Sequence, residues 1–371
     1  MSLDRARVKE IFTAAVELAR GELDPYLDEA CAGDDELRRE LESLLAHHDE
    51  RDLVRPPLPE HSAPTLVPEE RGLASAHEHV RYRELDELGV GGCGRVTSTW
   101  DRQLRRRVAR KQLLIDAPGQ RAMLLQEARL LAWLDHPGVV PVYDTEADGE
   151  ASYTMRLLDG ETLRSRIDSE GQLSIPESVR VLTRVSETMA NAHAKGVLHL
   201  DLKPANLMLL PFGQVCVLDW GVAKFHDLDA YHAYLRTSGE TASPAVAAYD
   251  GIAGTPSYMP VEQVVGDALS PATDIYAVGI VLYEMLVGRL PHAASGGARS
   301  IIHTLSEAIA PPTRFRADIP ERLEALCLRM LASNPADRPA SFTEVLAEVD
   351  GLHGVPVGAE LVLQPGEVLF R

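Results

Sequence analysis

The sequence is short of cysteine and of long apolar runs, and each shortage excludes a class of protein. Only four cysteines occur in 371 residues, and they lie far apart with no CxxC pair, which excludes a disulfide-rich scaffold and a zinc ribbon. The longest apolar stretch, residues 275–287, has 13 residues, whereas about 18–20 are needed to span a bilayer. Residues 1–10 lack the apolar core of a secretion signal. We therefore expect a cytoplasmic protein without a membrane span.

Basic side chains are also in deficit. The sequence has 37 Lys and Arg against 56 Asp and Glu, a net charge of −19. Proteins that bind nucleic acid or anionic membranes without specificity need an excess of Lys and Arg, so the balance argues against both kinds of partner. The deficit is uneven, because residues 1–80 alone hold 9 basic and 19 acidic side chains. The first fifth of the chain therefore differs from the rest.

Residues 1–80 divide into two parts. Within residues 1–50, apolar side chains recur at helical spacing, which predicts a small helical segment whose apolar stripes need a partner surface. Gly21 and Gly33 are expected to separate its helices. Residues 51–80 contain five prolines and show no periodicity, which predicts a linker. A protein partner for residues 1–50 follows as an expectation.

From residue 81 onward the pattern changes. Short strand-like runs dominate residues 81–158, and long helical patterns dominate residues 159–352. A small β-rich lobe followed by a larger helical lobe is an α+β arrangement. Residues 353–371 are expected to be a tail, in which a truncated further domain could begin.

A glycine-rich segment follows the first strand-like run and fits the pattern G-x-G-x-x-G-x-V. Its residues are Gly89, Val90, Gly91, Gly92, Cys93, Gly94, Arg95 and Val96. Glycines let the backbone approach phosphate groups closely and adopt positive φ angles. In dinucleotide-binding folds the same spacing opens into a helix. Here the next residues are mostly β-branched, so the loop is predicted to join two antiparallel strands over a nucleotide.

A strand with a lysine and a helix with a glutamate come next. Residues 108–111 have the pattern V-A-x-K, and Ala109 and Lys111 share one face of the predicted strand. Ala109 could touch an adenine while Lys111 reaches a phosphate, although Lys111 considered alone is an exposed member of a basic run. Glu127 lies among apolar residues of a helix predicted over residues 119–134. A carboxylate on the buried side of a helix needs a basic partner, because an unpaired buried charge is costly.

The most specific motif lies in the second half of the chain. It consists of His199, Leu200, Asp201, Leu202, Lys203, Pro204, Ala205 and Asn206, and thirteen residues after Asn206 come Asp219, Trp220 and Gly221. The segment 254–262, Asp274 and Arg338 follow in order. Together with the glycine-rich segment, Lys111 and Glu127, this series resembles the bacterial eukaryotic-like (Hanks-type) serine/threonine protein kinases over residues 81–352. The resemblance implies the bilobed protein-kinase fold.

The resemblance also implies a role for each matched residue in the transfer of the γ-phosphoryl group of Mg-ATP to Ser and Thr hydroxyls of protein substrates. Such a transfer depends on positioning and on charge neutralisation. Asp201 would orient the substrate hydroxyl and Lys203 would neutralise the γ-phosphate, while Lys111, held by Glu127, would contact the α- and β-phosphates. Asn206 and Asp219 would ligate Mg²⁺. The implied nucleotide contacts are Gly89, Val90, Gly91, Gly92, Cys93, Gly94, Val96, Ala109, Lys111, Met155 and Leu157.

Other matched residues are implied to support the fold rather than to react. Thr255 would back the catalytic aspartate and lysine, and Asp274 would anchor the backbone of the catalytic loop. Glu262 and Arg338 would form a buried ion pair of the larger lobe.

Two further functions remain open beside an active kinase that also phosphorylates itself. One is a pseudokinase that binds nucleotide and acts as a scaffold. The other makes residues 1–50 the working part, as a protein-interaction module. Degraded kinase sites normally lack one of Lys111, Asp201, Asn206 and Asp219, and all four are present here. The sequence therefore favours the active enzyme.

One departure from the family pattern leads to a prediction. Leu200 stands where the family usually has an arginine, which can grip a phosphate on the activation loop, and leucine has no such hydrogen-bonding group. We expect that changing the hydroxyl residues Thr237, Ser238, Thr241 and Ser243 together to alanine leaves most of the activity intact. The measurement is the rate of phosphorylation of a peptide substrate. A near-total loss of rate in this variant would contradict the hypothesis.

Overall fold

The computed structural model describes residues 20–31, 38, 81–91, 94–114, 119–146, 151–238, 254–291 and 309–351. The chain separates into two compact units, one formed by Met1–Trp133 and Pro141–Leu158 and the other by Leu134–Val140 and Asp159–Arg371. The tail and linker expectations, most of the N-terminal segment, and the positions of Gly92 and Cys93 lie outside the described residues.

The N-terminal part contributes one described helix, α1 (Arg20–Cys31). Leu27 and Cys31, four residues apart and thus on one face, are both buried. Gly21 is the second residue of α1. The residues before Arg20, and Gly33, lie outside the described part of the chain, so the expectation that these two glycines separate helices stays a prediction.

The first unit contains a five-stranded sheet with one helix. Its strands are β1 (Tyr82–Gly91), β2 (Gly94–Asp101), β3 (Arg106–Gln112), β4 (Val142–Glu146) and β5 (Ser152–Met155), and its helix is α2 (Gln120–Leu134). The strand order is β1-β2-β3-β5-β4, and all neighbours are antiparallel. The glycine-rich segment thus joins two antiparallel strands, as predicted. Gly94 closes that hairpin at a φ of +157°, where a Cβ atom would lie 2.2 Å from the carbonyl oxygen of Gln112.

The second unit is mainly helical. Its helices are α3 (Leu163–Glu170), α4 (Ile175–Ala194), α5 (Leu228–Ser238), α6 (Val261–Val265), α7 (Pro271–Val287), α8 (Glu321–Met330) and α9 (Phe342–Asp350). Short strands lie between them: β6 (Glu161–Thr162), β7 (Val197–Leu198), β8 (Leu207–Leu210), β9 (Gln214–Val217) and β10 (Lys224–Phe225). A β-rich first unit and a helical second unit confirm the predicted α+β class.

Helix α7 is the central helix of the second unit. Nearly every residue from Thr273 to Leu286 is buried, as expected of a helix that is apolar all round. A capping box formed by Ser270 and Thr273 begins the helix, and Gly288, at a φ of +78°, ends it. Its length suits a buried core helix, and none of the helices in the described ranges is long and apolar enough to cross a membrane.

The short strands hold one loop in place. Strand β7 pairs with β10, and β8 pairs with both β6 and β9. Residues 199–203 run from β7 into a 3-10 turn at Pro204–Asn206 that leads directly into β8. Both ends of the motif formed by residues 199–206 are thus tied to sheet hydrogen bonds, so the loop has little freedom between them.

Candidate active site

In the first unit, Lys111 and Glu127 form a buried ion pair. The Lys111 Nζ donates to both carboxylate oxygens of Glu127 at 2.8 Å, and Tyr153 donates its hydroxyl hydrogen to Oε1 at 3.1 Å. Only 8% of Lys111 and 6% of Glu127 is exposed. The buried glutamate of α2 therefore has the basic partner that its position demands.

The cross-strand register places other candidate nucleotide contacts around this lysine. Val96 on β2 lies opposite Lys111, and Ala109 on β3 lies opposite Met155 on β5. Ala109 is buried, as its face of the strand requires. The structure thus groups Val96, Ala109, Lys111 and Met155 in neighbouring positions of one sheet.

The remaining nucleotide candidates lie at the margins of this group. Gly89 lies opposite Val96 in β1, and Gly91 lies opposite Gly94 at the end of the hairpin. Val90 has 54% of its surface exposed, and Leu157, two residues after β5, is partly exposed. These residues border the loop rather than the buried ion pair.

In the second unit, Asp201 is the centre of a hydrogen-bond network. Thr255 donates its hydroxyl hydrogen to Asp201 Oδ1 at 2.7 Å, and the Lys203 Nζ donates to the Thr255 oxygen, also at 2.7 Å. Lys203 Nζ also lies 2.9 Å from Asp201 Oδ2. Asn206 donates through Nδ2 to the backbone oxygen of Asp201 at 2.9 Å and to its Oδ2 at 3.1 Å. Four of the residues matched in the sequence, Asp201, Lys203, Asn206 and Thr255, are therefore brought together here.

A backbone hydrogen bond ties the residue before Asp219 to Asn206. The N–H of Leu218 donates to the backbone oxygen of Asn206 at 2.8 Å, and Asp219 is the next residue, exposed and at a φ of +59°. Both hydrogen bonds of the Asn206 side chain use its nitrogen, so its oxygen is the atom suited to a cation. An amide oxygen next to a carboxylate is the donor set that Mg²⁺ prefers, and the residues present fit that metal.

The loop that carries Asp201 is anchored on Asp274 of α7. The backbone N–H groups of His199 and Leu200 each donate to the Asp274 carboxylate at 2.9 Å, and His193 Nε2 donates to it at 2.8 Å. Burial alone would raise the pKa of Asp274, but the hydrogen bond from His193 and those from the loop backbone outweigh it and lower this pKa below its ordinary value. The carboxylate is thus ionised and fully occupied by donors.

Leu200 has an unusual backbone conformation that the surroundings hold in place. Its φ is +67°, a region that costs a non-glycine residue about 1–2 kcal/mol. Gln263 donates through Nε2 to the Leu200 carbonyl oxygen at 2.8 Å. Gly254 approaches the same oxygen so closely that a Cβ atom would lie 2.6 Å from it. The side chain of Leu200, at the position where the related kinases usually have an arginine, is buried.

His199 connects the loop to the segment before Trp220. Its Nε2 donates to the backbone oxygen of Leu218 at 3.0 Å, and its Nδ1 accepts from the N–H of Asp201 at 3.2 Å. Its ring centroid lies 4.6 Å from that of Trp220. The histidine therefore ties the loop to the segment that carries Asp219.

A second buried ion pair supports the larger unit. Arg338 donates through Nη1 and Nη2 to the two carboxylate oxygens of Glu262 at 2.5 and 3.1 Å, and its other donors reach backbone oxygens nearby.

Sequence reasoning missed two residues that support the catalytic loop, His193 and Gln263, which belong to no motif. They are found only once the structure shows what contacts Asp274 and Leu200.

Comparison with known proteins agrees with this geometry. The family model described as the protein kinase domain matches residues 82–349. The chain is similar to the serine/threonine-protein kinase PknD of Chlamydia trachomatis serovar D, with 34% identity over 291 residues, covering 71% of this chain and 31% of the relative. It is similarly related to PknD of Chlamydia pneumoniae, with 33% identity over 301 residues, 74% of this chain and 31% of the relative.

A relative from another organism extends this comparison. The serine/threonine-protein kinase pkn3 of Myxococcus xanthus is 34% identical over 284 residues, which cover 73% of this chain and 50% of the relative. The chain spans about a third of the length of the two chlamydial relatives.

The anchoring role of Asp274 leads to a prediction on stability. We expect Asp274→Asn to lower the free energy of unfolding by about 2–4 kcal/mol, because hydrogen bonds to a buried charge are each worth about 1.5–3 kcal/mol. The measurement is urea unfolding at neutral pH. Asp168→Asn is the control, since Asp168 forms an exposed ion pair with Arg164, and such pairs contribute at most about 1 kcal/mol.

The same variant has a defined pH dependence. Because the pKa of Asp274 is lowered in the folded state from an ordinary value of 3.8, its stabilising effect is fully present above that pH and is lost as the pH falls below it. The difference between the native chain and Asp274→Asn should therefore be constant from pH 7 to pH 5 and shrink below about pH 4. A difference that grows on acidification would show that the carboxylate is not the anchor.

Proposed function

This chain belongs to the protein kinase family, and on that basis we propose that it is an ATP-dependent serine/threonine protein kinase. The family membership confirms the resemblance to Hanks-type kinases read from the motifs. The observation that carries the proposal is the network in which Lys203, Thr255 and Asn206 all contact Asp201. The proposed reaction moves the γ-phosphoryl group of Mg-ATP to a Ser or Thr hydroxyl of a protein.

Asp201 is the residue that we propose orients the acceptor hydroxyl of the substrate and takes its proton. In the transfer, a bond forms between the substrate oxygen and the γ-phosphorus, the bond from that phosphorus to the β-phosphate oxygen breaks, and the hydroxyl proton passes to the Asp201 carboxylate. Thr255 holds Oδ1 through a hydrogen bond, which leaves the carboxylate in one orientation. Orientation is the main contribution that a kinase side chain makes to such a reaction.

Lys203 supplies a positive charge beside the same carboxylate. Its Nζ is fixed by the Thr255 oxygen at 2.7 Å and by Asp201 at 2.9 Å. A lysine held in this way needs no reorganisation when negative charge develops on the transferred group. We assign it the neutralisation of the γ-phosphate.

Lys111 is the proposed contact for the α- and β-phosphates. The hydrogen bonds to both carboxylate oxygens of Glu127 fix the direction of its ammonium group in a largely buried position. The glycine-rich segment and Val96, Ala109, Met155 and Leu157 are the proposed contacts of the rest of the nucleotide. Support for this group comes from the register that places Val96 and Ala109 beside Lys111.

Asn206 and Asp219 are the proposed ligands of Mg²⁺. When bound, the metal supplies charge neutralisation for the phosphates. The side chain of Asn206 is oriented for this role by its two hydrogen bonds to Asp201. Asp219 is positioned by the backbone hydrogen bond between Leu218 and Asn206.

The alternative of a pseudokinase scaffold is not favoured by any feature of the site. Lys111, Asp201, Asn206 and Asp219 are all present, and the first three are held by the partners that catalysis requires. Protein substrates with Ser or Thr acceptors, autophosphorylation and a cytoplasmic location belong to the same proposal. A protein partner for residues 1–50 and the absence of a nucleic-acid partner remain predictions from charge and sequence pattern.

The proposal predicts a large effect of one substitution. Asp201→Asn should lower the rate of phosphate transfer from γ-labelled ATP to a generic basic protein by about 10²–10⁴-fold, the range for loss of a positioned acid–base group. Asp168→Asn, which removes one exposed carboxylate of the same unit, should leave the rate unchanged. Labelling that does not depend on Asp201, in a chain that still binds nucleotide, would favour the scaffold instead.

A further inference from the structure

The acidic balance of the chain does not extend to the sheet of the first unit. Residues 81–158 hold 12 Lys and Arg against 11 Asp and Glu, although the whole chain has a net charge of −19. Six of the basic residues fall between positions 102 and 111, around the turn that joins β2 to β3. The sheet of the first unit therefore presents positive charge at this end.

Three arginines in and beside the sheet are neutralised by carboxylates. Arg81 pairs with Asp101 at 3.0 Å, Arg95 with Glu84 at 2.9 Å, and Arg110 with Glu146 at 2.6 Å. These pairs hold the outer strands together and leave no net charge where they occur.

The arginines at the β2–β3 end differ from these. Arg83, Arg102, Arg105 and Arg107 are all exposed, and within the described ranges no carboxylate forms an ion pair with any of them. Arg105 also has a φ of +51°. This positive φ angle lets the chain turn tightly between β2 and β3, where the arginines lie. Several cations held together without counter-charges repel one another, and an anionic partner relieves that repulsion.

Apolar side chains lie among these arginines. The register places Trp100 on β2 between Arg83 on β1 and Arg107 on β3, and Trp100 is partly exposed. Leu104, at the tip of the turn, has 55% of its surface exposed. We call this group the arginine-rich end: Arg83, Trp100, Arg102, Leu104, Arg105 and Arg107. Cations around exposed apolar groups suit an acidic protein segment that also carries apolar residues.

Such a segment exists in the same chain. Residues 21–36 contain seven acidic residues and no Lys or Arg. Helix α1 supplies part of it, and its Asp28 carboxylate is 71% exposed although it pairs with Arg38. Tyr26, which is partly exposed, adds an aromatic ring to the same stretch. Its charge is opposite to that of the arginine-rich end.

We propose that the arginine-rich end is a docking surface for residues 21–36 of the same chain. The 44 residues between Glu36 and Arg81 reach up to about 150 Å when extended, so the length of chain permits the contact. A tethered segment has an effective concentration in the millimolar range, and a weak, mainly electrostatic interaction then suffices for docking. The contact does not depend on the kinase activity proposed above.

The test uses the full chain with a photo-activated cross-linking amino acid in place of Leu104. After irradiation at low salt, the monomeric band is isolated and the attached peptides are identified by mass spectrometry. We expect most adducts to lie within residues 21–36, and the yield to fall at least about fivefold at 1 M NaCl, where the screening length drops to about 3 Å.

Charge-reversal variants separate docking from chance proximity. Changing Arg102, Arg105 and Arg107 together to Glu should reduce the adduct by about tenfold, a loss of about 1.4 kcal/mol. Changing Asp34, Asp35 and Glu36 together to Arg should do the same, and combining both sets should restore it. Arg184→Glu, an exposed arginine of α4, is the control and should leave the yield unchanged.

Three results would overturn the proposal. Adducts confined to cross-linked dimers would assign the surface to a second copy, and adducts mainly outside residues 21–36 would assign it to another partner. Adducts in residues 21–36 that survive charge reversal would show that the arginines do not hold the segment. Circular dichroism of each variant establishes that it is folded, so a loss of adduct reports on docking alone.

Discussion

The geometry of the second unit depends on the carboxylate of Asp274. This buried side chain accepts hydrogen bonds from two consecutive backbone N–H groups of the loop, those of His199 and Leu200. Two such bonds fix both the position and the direction of the chain where it leaves β7. They also offset the cost of the positive φ angle at Leu200. The loop then projects Asp201, Lys203 and Asn206 from a backbone that cannot rotate freely.

The two units use charge in the same way. In each of them the groups proposed for chemistry are held by buried or half-buried partners: Lys111 by Glu127, and Asp201 by Thr255 and Asn206. Exposed pairs such as Arg164 with Asp168 contribute little, because water screens them and their side chains lose entropy on pairing. The large negative charge of the chain is therefore not what the site uses. A few charges in fixed positions carry the proposed function, while about half of the surplus negative charge lies in residues 1–80.

Much of this arrangement could be predicted from the sequence, and the part that could not has a common physical reason. Local patterns sufficed for the glycine hairpin, because β-branched residues after Gly94 predict a strand. They also predicted that Glu127 needs a basic partner. His193 lies 81 residues from Asp274 along the chain and belongs to no motif, so only the fold reveals the contact.

The most direct test of this account is a comparison of Thr255→Val with Thr255→Ser. The Thr255 hydroxyl links Lys203 to Asp201; valine has nearly the same shape without it, and serine retains it. Steady-state kinetics with ATP and a peptide substrate should show that kcat falls about 10–100-fold in the valine variant, as expected for losing a hydrogen bond to a charged group. The serine variant should stay within about threefold of the native chain, and KM for ATP should hardly change in either variant. Equal kcat values for the two variants would contradict the claim that this hydroxyl organises the carboxylate proposed for catalysis.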